Sequence, residues 1–254
     1  RLGLTPRATA AGILTIADAA MARAVMVITA ERAVDPASVP LVAYGGAGGL
    51  HAASLMDRLG MPEAFIPPHP GAFSALGLAL AGEAAETAEA VHQVLSERSL
   101  SELIERGAQL LQQTREALTS PARRRRVDVM VRYQGQGACL CLPLRRGLAA
   151  SFGREHERRF GFRTDAAIEV VELRARSETP ARPLPRSLQT ASERPLHHRR
   201  VPLGNTKIPV YSRGDLPGDV EGPAVIEEAT GTTLVPAGCR LQPLPFGLRI
   251  RRRR

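Results

Sequence analysis

Apolar residues recur at steps of three and four through residues 5–33, and Ala10, Leu14, Ala17, Met21, Ala24 and Ile28 form one stripe. That spacing predicts an amphipathic helix. Thr5 can cap it, and Pro6 suits the first helical position, where its missing N–H costs nothing. Asp35-Pro36 ends it. Leu41-Val42-Ala43-Tyr44 has no charged residue, as expected of a short buried parallel strand. Gly45-Gly46-Ala47-Gly48-Gly49 follows, and then a helix over 50–59. A second short strand is expected at Ala64-Phe65-Ile66. The three prolines of 67–71 exclude helix and central strand there. Ser74 to Leu80 reads as a small-residue helix. Ser99 with Glu102 makes a capping box for a helix whose apolar face holds Leu100, Leu103, Ile104, Ala108, Leu111 and Leu118.

The period changes after Arg126. Val127, Val129, Val131 and Tyr133 alternate with Asp128, Met130 and Arg132, which is strand spacing. Gln134-Gly135-Gln136-Gly137 turns the chain towards a partner strand over 138–142. A short helix is expected at 152–160 and a strand at 168–176. Residues 178–200, rich in Pro, Arg and Ser, read as a long loop. Short strands follow at 208–211, 224–227, 232–235 and 248–251. The expected organisation is therefore an α/β domain over 1–84, a connecting helix and linker over 85–126, and a β-rich α+β domain over 127–254.

Composition refines this picture modestly. The 254 residues carry a net charge of +9, and Lys207 is the sole lysine among 34 cations. Such avoidance of lysine points to base composition rather than selection for phosphate binding. Arg123–Arg126 and Arg251–Arg254 nearly account for the excess, and read as solvated runs in a linker and a tail. Aromatics make up only 4%, with no Trp, which argues against a stacking platform for single strands; nucleic acid is not an expected partner. Three cysteines do not make a disulfide framework. No charge-free run of about 18 apolar residues is present, so no membrane span is expected and the expected location is cytoplasmic.

The glycine loop carries the main chemical signal. Glycine lets a backbone approach a ligand and adopt positive φ, and the helix start beyond it offers unpaired N–H groups to an anion. Leu50-His51 stand where a P-loop needs Lys and Ser/Thr, and Gly46-x-Gly48-x-x-His51 lacks the third glycine of a dinucleotide fingerprint. Nucleotide or phosphate contact and a tight turn required by packing both remain open for this loop.

The order of segments is more specific. Asp35-Pro36, Leu41 to Ala52, Pro67 to Gly71 and Ser74-Ala75-Leu76-Gly77 resemble the hydantoinase A/5-oxoprolinase family. So do Arg132-Tyr133-x-Gly135-Gln136, His156, Phe160-Gly161, Ile168 to Arg174, Gly222 to Glu227 and Thr232 to Gly238. That resemblance implies the C-terminal part of an actin/Hsp70/sugar-kinase-like (ribonuclease H-like) nucleotide-binding unit, followed by a β-rich C-terminal domain. It implies an ATP-dependent amidohydrolase subunit opening cyclic amides of the hydantoin or 5-oxoproline class, with ATP activating the amide oxygen. It places Gly45, Gly46, Ala47, Gly48 and Gly49 against the nucleotide. The family usually has Pro where this chain has Gly49, which should loosen the first helical turn.

The family's Asp-x-Gly-Gly-Thr phosphate loop is not found in this sequence. The chain is therefore expected to be a fragment, inactive towards ATP alone, with Mg²⁺ bound on an N-terminal part outside it and no metal site of its own. The implied partners are a hydantoinase B-like subunit or domain, in a hetero-oligomer, and a small cyclic amide. An acetone carboxylase beta-like subunit and a non-catalytic binding or assembly module are the alternative readings.

His51, beside the loop, is the one catalytic candidate, with packing as its alternative. His69 reads as part of a structural bend, Ser74 as a helix cap and His156 as a surface or packing residue. Cys139 and Cys141, two apart on a strand, read as small buried apolar residues. Cys239 is isolated, and His197-His198 reads as solvated.

Overall fold

The computed structural model describes residues 3–183, 199–203 and 206–253. Five helices are described: α1 (Pro6–Glu31), α2 (Gly48–Leu59), α3 (Phe73–Leu80), α4 (Glu97–Glu116) and α5 (Leu148–Phe160). The described strands run β1 (Leu41–Val42), β2 (Ala64–Ile66), β3 (Ala84–Val94), β4 (Arg124–Tyr133), β5 (Leu140–Pro143), β6 (Ile168–Glu178) and β7 (Arg199–Leu203). They continue as β8 (Thr206–Ser212), β9 (Val220–Glu221), β10 (Ala224–Glu228), β11 (Gly231–Val235), β12 (Cys239–Leu244) and β13 (Gly247–Arg252). The fold is mixed α/β, and the described strands form three sheets.

Two compact units divide the chain, and they do not follow the divisions read from the sequence. One joins residues 1–79 to 184–254; the other is 80–183. The reason is pairing at long range. β13 runs antiparallel to β2, with Leu248 opposite Ile66 and Ile250 opposite Ala64, so the end of the chain completes the sheet begun at its start. That sheet has the order β1-β2-β13-β12-β9, and β1 and β2 are parallel. The second sheet of this unit has the order β11-β10-β8-β7. Its core gathers Met56, Ile66, Ile226, Leu241, Leu248 and Ile250, each with at most 1–2% of its surface exposed. Each such side chain contributes about 1.5–3 kcal/mol by leaving water.

Helix α1 is present as expected, and Thr5 Oγ1 accepts a hydrogen bond from the Ala8 amide at 3.2 Å. Its inward side is not the expected stripe. Asp18 and Ala22 are buried, and Met21 and Val25 pack beside them. Leu14 and Ile28 of that stripe face out, with Ile13, Ile16, Met26 and Val27. The helix is apolar on nearly every side, so periodicity alone cannot choose the face that packs. By length and composition it is also apolar enough to cross a membrane, contrary to the sequence reading; the inward side nevertheless carries a buried carboxylate.

The unit 80–183 is built on the antiparallel sheet β3-β6-β4-β5. Segment 85–126 is not a linker: β3 pairs along β6 from Ala84–Glu178 to Val94–Glu169, and α4 packs on this sheet. Strand β3 escaped the sequence reading because its apolar positions are mostly alanines. The capping box of α4 is also shifted. Ser96 is the cap and Ser99 its reciprocal partner, because a serine hydroxyl can return the bond that Glu102 was expected to make. Leu103, Val129, Leu140, Leu148, Phe152 and Leu173 fill the core.

The arginine runs belong to strands. Arg124–Arg126 open β4, and Arg126 pairs with Asp128 at 3.1 Å. Arg251, Arg252 and Arg253 pair with Glu63, Asp57 and Glu221 at 2.5–2.9 Å. The arginines of these pairs are exposed, so water and salt screen the attraction and each pair adds little to stability. Cys139 and Cys141 are not buried as expected: Leu140 and Leu142 turn inward from β5, so the cysteines lie on its outer side. The expected loop at 178–200 and His197-His198 lie mostly outside the described residues; β6 continues to Glu178 and β7 begins at Arg199.

Candidate functional site

The glycine loop joins β1 to α2, as the sequence predicts. Gly45 has φ +94°, open to glycine without strain, and a Cβ placed there would meet nothing within 4 Å. Its amide donates to the Pro70 carbonyl at 2.7 Å, which ties the loop to the proline segment 67–71. On the other side, the Gly46 carbonyl accepts from the Thr232 amide at 3.1 Å. Three segments far apart in sequence thus meet at one loop.

The glycines do different work. A Cβ on Gly49 would overlap Thr233 Oγ1 and stand 2.7 Å from the Thr232 carbonyl oxygen, so packing against β11 demands glycine there. The expected loosening by Gly49 is therefore offset by close contact. Gly71 is held in the same way against the Thr230 carbonyl. Gly46 and Gly48 are less confined, with nearest atoms 3.5 Å from an added Cβ. Ala47 caps α2 without a side-chain bond, and the Gly46 and Ala47 amides make no hydrogen bond within the described residues. Two adjacent N–H groups at a helix start, beside an unfilled Gly45, suit an anionic oxygen. The loop therefore fits a phosphate through Gly45 to Ala47, and serves packing through Gly49.

His51 lies in the first turns of α2. Its Nδ1 is 2.6 Å from Asp18 Oδ1, and Ser54 Oγ donates to Asp18 Oδ2 at 2.6 Å. Positions 51 and 54 share one helix face, three residues apart, and that face meets α1. Asp18 keeps 7% of its surface exposed. The sequence reading missed both Asp18 and Ser54. The only available signal was a carboxylate within an otherwise apolar helix stretch, which a buried partner explains.

Other candidates fall into place. His69 has φ +48° at the bend before the turn Pro70–Ala72, in accord with a structural role. It lines a cavity of about 450 Å³ with Phe65, Phe73, Arg213 and Phe246. Arg213 there pairs with the buried Glu228 at 2.9 Å and donates to the Pro67 carbonyl at 2.8 Å. Ser74 lies inside α3 rather than capping it, because the helix begins at Phe73. Burial pushes the Cys239 thiol up, away from thiolate chemistry. Among the described residues, no group of three or more His, Cys, Asp or Glu side chains is placed to hold a metal.

His156 is 1% exposed. Its Nδ1 bonds the Phe162 carbonyl at 2.9 Å and its Nε2 bonds Gln136 Oε1 at 3.2 Å. Tyr133, Phe152, Phe160 and Phe162 surround the ring at centroid distances of 4.7–5.5 Å. Residues from separate sequence motifs converge in this cluster, which is core rather than site.

The family model for hydantoinase/oxoprolinase matches residues 1–87, the stretch that holds α1, the loop and α2. Over that stretch the chain is similar to the hydantoinase/oxoprolinase family. The chain is 29% identical over 272 residues to the caprolactamase subunit alpha of Pseudomonas jessenii, covering 94% of the chain and 39% of that relative. It is 26% identical over 255 residues to the 5-oxoprolinase of Dictyostelium discoideum, covering 93% of the chain and 20% of the relative. A protein of Methanocaldococcus jannaschii without assigned function is 29% identical over 258 residues, with 93% and 36% covered. The chain thus spans about a fifth to two fifths of these relatives' lengths.

Among solved structures, the ATP-dependent caprolactamase from Pseudomonas jessenii superposes with a TM-score of 0.73 at 26% identity, covering 100% of this chain and 41% of that one. Acetone carboxylase in its nucleotide-free structure gives 0.64 at 19% identity, with 99% and 41% covered, and shows the shared fold.

Proposed function

We propose that this chain is part of an ATP-dependent enzyme that opens cyclic amides, and that its 45–49 loop holds the nucleotide. The caprolactamase and 5-oxoprolinase relatives support the substrate class, since both act on lactams by name. The observation that carries the reading is the pair of unpartnered amides at Gly46 and Ala47 beside the open Gly45. In this reading 1–79 is the C-terminal part of an actin/Hsp70/sugar-kinase-like unit, and a hydantoinase B-like subunit completes a hetero-oligomer. The word "subunit" in the caprolactamase relative's name supports an assembly.

The nucleotide supplies the energy that activates a stable amide. This chain's part is to bind and orient it: two N–H groups and a helix start stabilise negative charge without reorganising.

Calorimetry of the full-length protein tests the loop. Gly46→Asp fits sterically, because an added Cβ keeps 3.5 Å from the Thr230 carbonyl oxygen. It brings a carboxylate to where phosphate would lie. ATP affinity should drop at least tenfold; equal affinity in the variant would remove the loop from the nucleotide site. A second reading, ketone carboxylation, has support in fold from the acetone carboxylase neighbour. Bicarbonate-dependent ATP use without lactam turnover would favour it.

A further inference from the structure

Asp18 spends both carboxylate oxygens on α2, one on His51 Nδ1 and one on the Ser54 hydroxyl, each at 2.6 Å. A buried carboxylate without compensation is strongly unfavourable, so this arrangement fixes the imidazole firmly. With Nδ1 turned inward, Nε2 lies on the opposite edge of the ring. It has no hydrogen-bond partner among the described residues, and the His51 side chain keeps 17% of its surface exposed. A helical side chain leans towards the helix N-terminus, so His51 covers the first turn of α2. The free Gly46 and Ala47 amides lie at that same end.

A carboxylate on one ring nitrogen fixes the ring's orientation. When Nε2 also carries a proton, a ring so held can donate it to an oxyanion. We propose that Asp18 and Ser54 are positioning residues that hold His51 so that Nε2–H donates to a phosphate oxygen of the nucleotide at the 45–49 loop. This rests on the nucleotide reading above. It gives His51 a role that depends on phosphate rather than on the adenosine moiety.

The test is calorimetric titration of the full-length protein with ATP and with adenosine. Asp18→Asn keeps the shape of the buried side chain and removes its charge. His51→Gln removes the ring. Each should weaken ATP binding about tenfold while leaving adenosine affinity unchanged. Ser54→Ala, which spares the Asp18–His51 bond, should move ATP affinity in the same direction by a smaller factor. Unchanged ATP affinity in both Asp18→Asn and His51→Gln would overturn the proposal. So would equal losses for ATP and adenosine, which would mark a packing role. Failure of the unaltered protein to bind ATP would overturn the nucleotide reading itself, and this inference with it.

Discussion

Gly49 in α2 and Thr233 in β11, 184 residues apart in the chain, touch so closely that any β-carbon on Gly49 would overlap the threonine hydroxyl. The amide of the neighbouring Thr232 bonds the Gly46 carbonyl at 3.1 Å. The glycine loop is therefore set against the β10–β11 hairpin, and its shape depends on a strand from the far end of the sequence.

Gly49→Ala tests this contact. Overpacking at a rigid backbone contact costs about 1–3 kcal/mol. Urea denaturation should show a lower midpoint with an unchanged slope. Thr233→Ser removes a methyl group but keeps the hydroxyl, so it should not relieve the clash. Thr233→Gly in the Gly49→Ala background should recover part of the loss.

The Arg213–Glu228 pair predicts a larger effect. Glu228 is 1% exposed at its side chain and Arg213 14%, and Arg213 also donates to the Ile66 and Pro67 carbonyls. Arg213→Ala leaves a buried carboxylate short of its cation. It should destabilise by about 3–5 kcal/mol, measured by chemical denaturation.

His156 should be as sensitive as a core aromatic residue. His156→Leu removes two hydrogen bonds and leaves the Gln136 amide oxygen and the Phe162 carbonyl short of partners. The expected loss is about 1–3 kcal/mol, read from thermal or urea unfolding. Gln136→Leu, which orphans one ring nitrogen only, should cost less.

The acid response has a defined sign at Glu155. Hydrogen bonds from Arg158 and then Arg159 hold its carboxyl down at about 2. Its folded value lies below the unfolded one, so its stabilisation is complete above about pH 4.5 and fades as pH falls towards 2. Glu155→Gln should therefore lower the melting temperature at pH 6 and make little difference near pH 2. Melting curves at the two pH values check this.

Much of the fold is legible along the chain. Thr5-Pro6 sets the start of α1, Gly60 its expected place after α2, and alternation marks β4 and β6. These features are local: a cap, a left-handed residue or a two-residue period acts on its own neighbours. Strand β3 was illegible because Ala84, Ala85, Ala88 and Ala90 give little contrast between its faces. At the site, the loop and His51 stood out by residue type and order, but Asp18 and Ser54 did not. Nothing in the spacing says that positions 18, 51 and 54 meet.

The sequence by itself determined the strand–glycine loop–helix, the β-rich remainder and a motif order similar to that of the hydantoinase/oxoprolinase family. Only the tertiary structure decided the division into 1–79 with 184–254 and 80–183, because β13 finds β2 through a ladder that no local signal encodes. It alone chose the buried side of α1, where apolar residues surround the helix and a single carboxylate, Asp18, fixes the rotation by bonding His51 and Ser54. And it alone separated the glycines that packing requires from those that leave backbone amides open to a ligand.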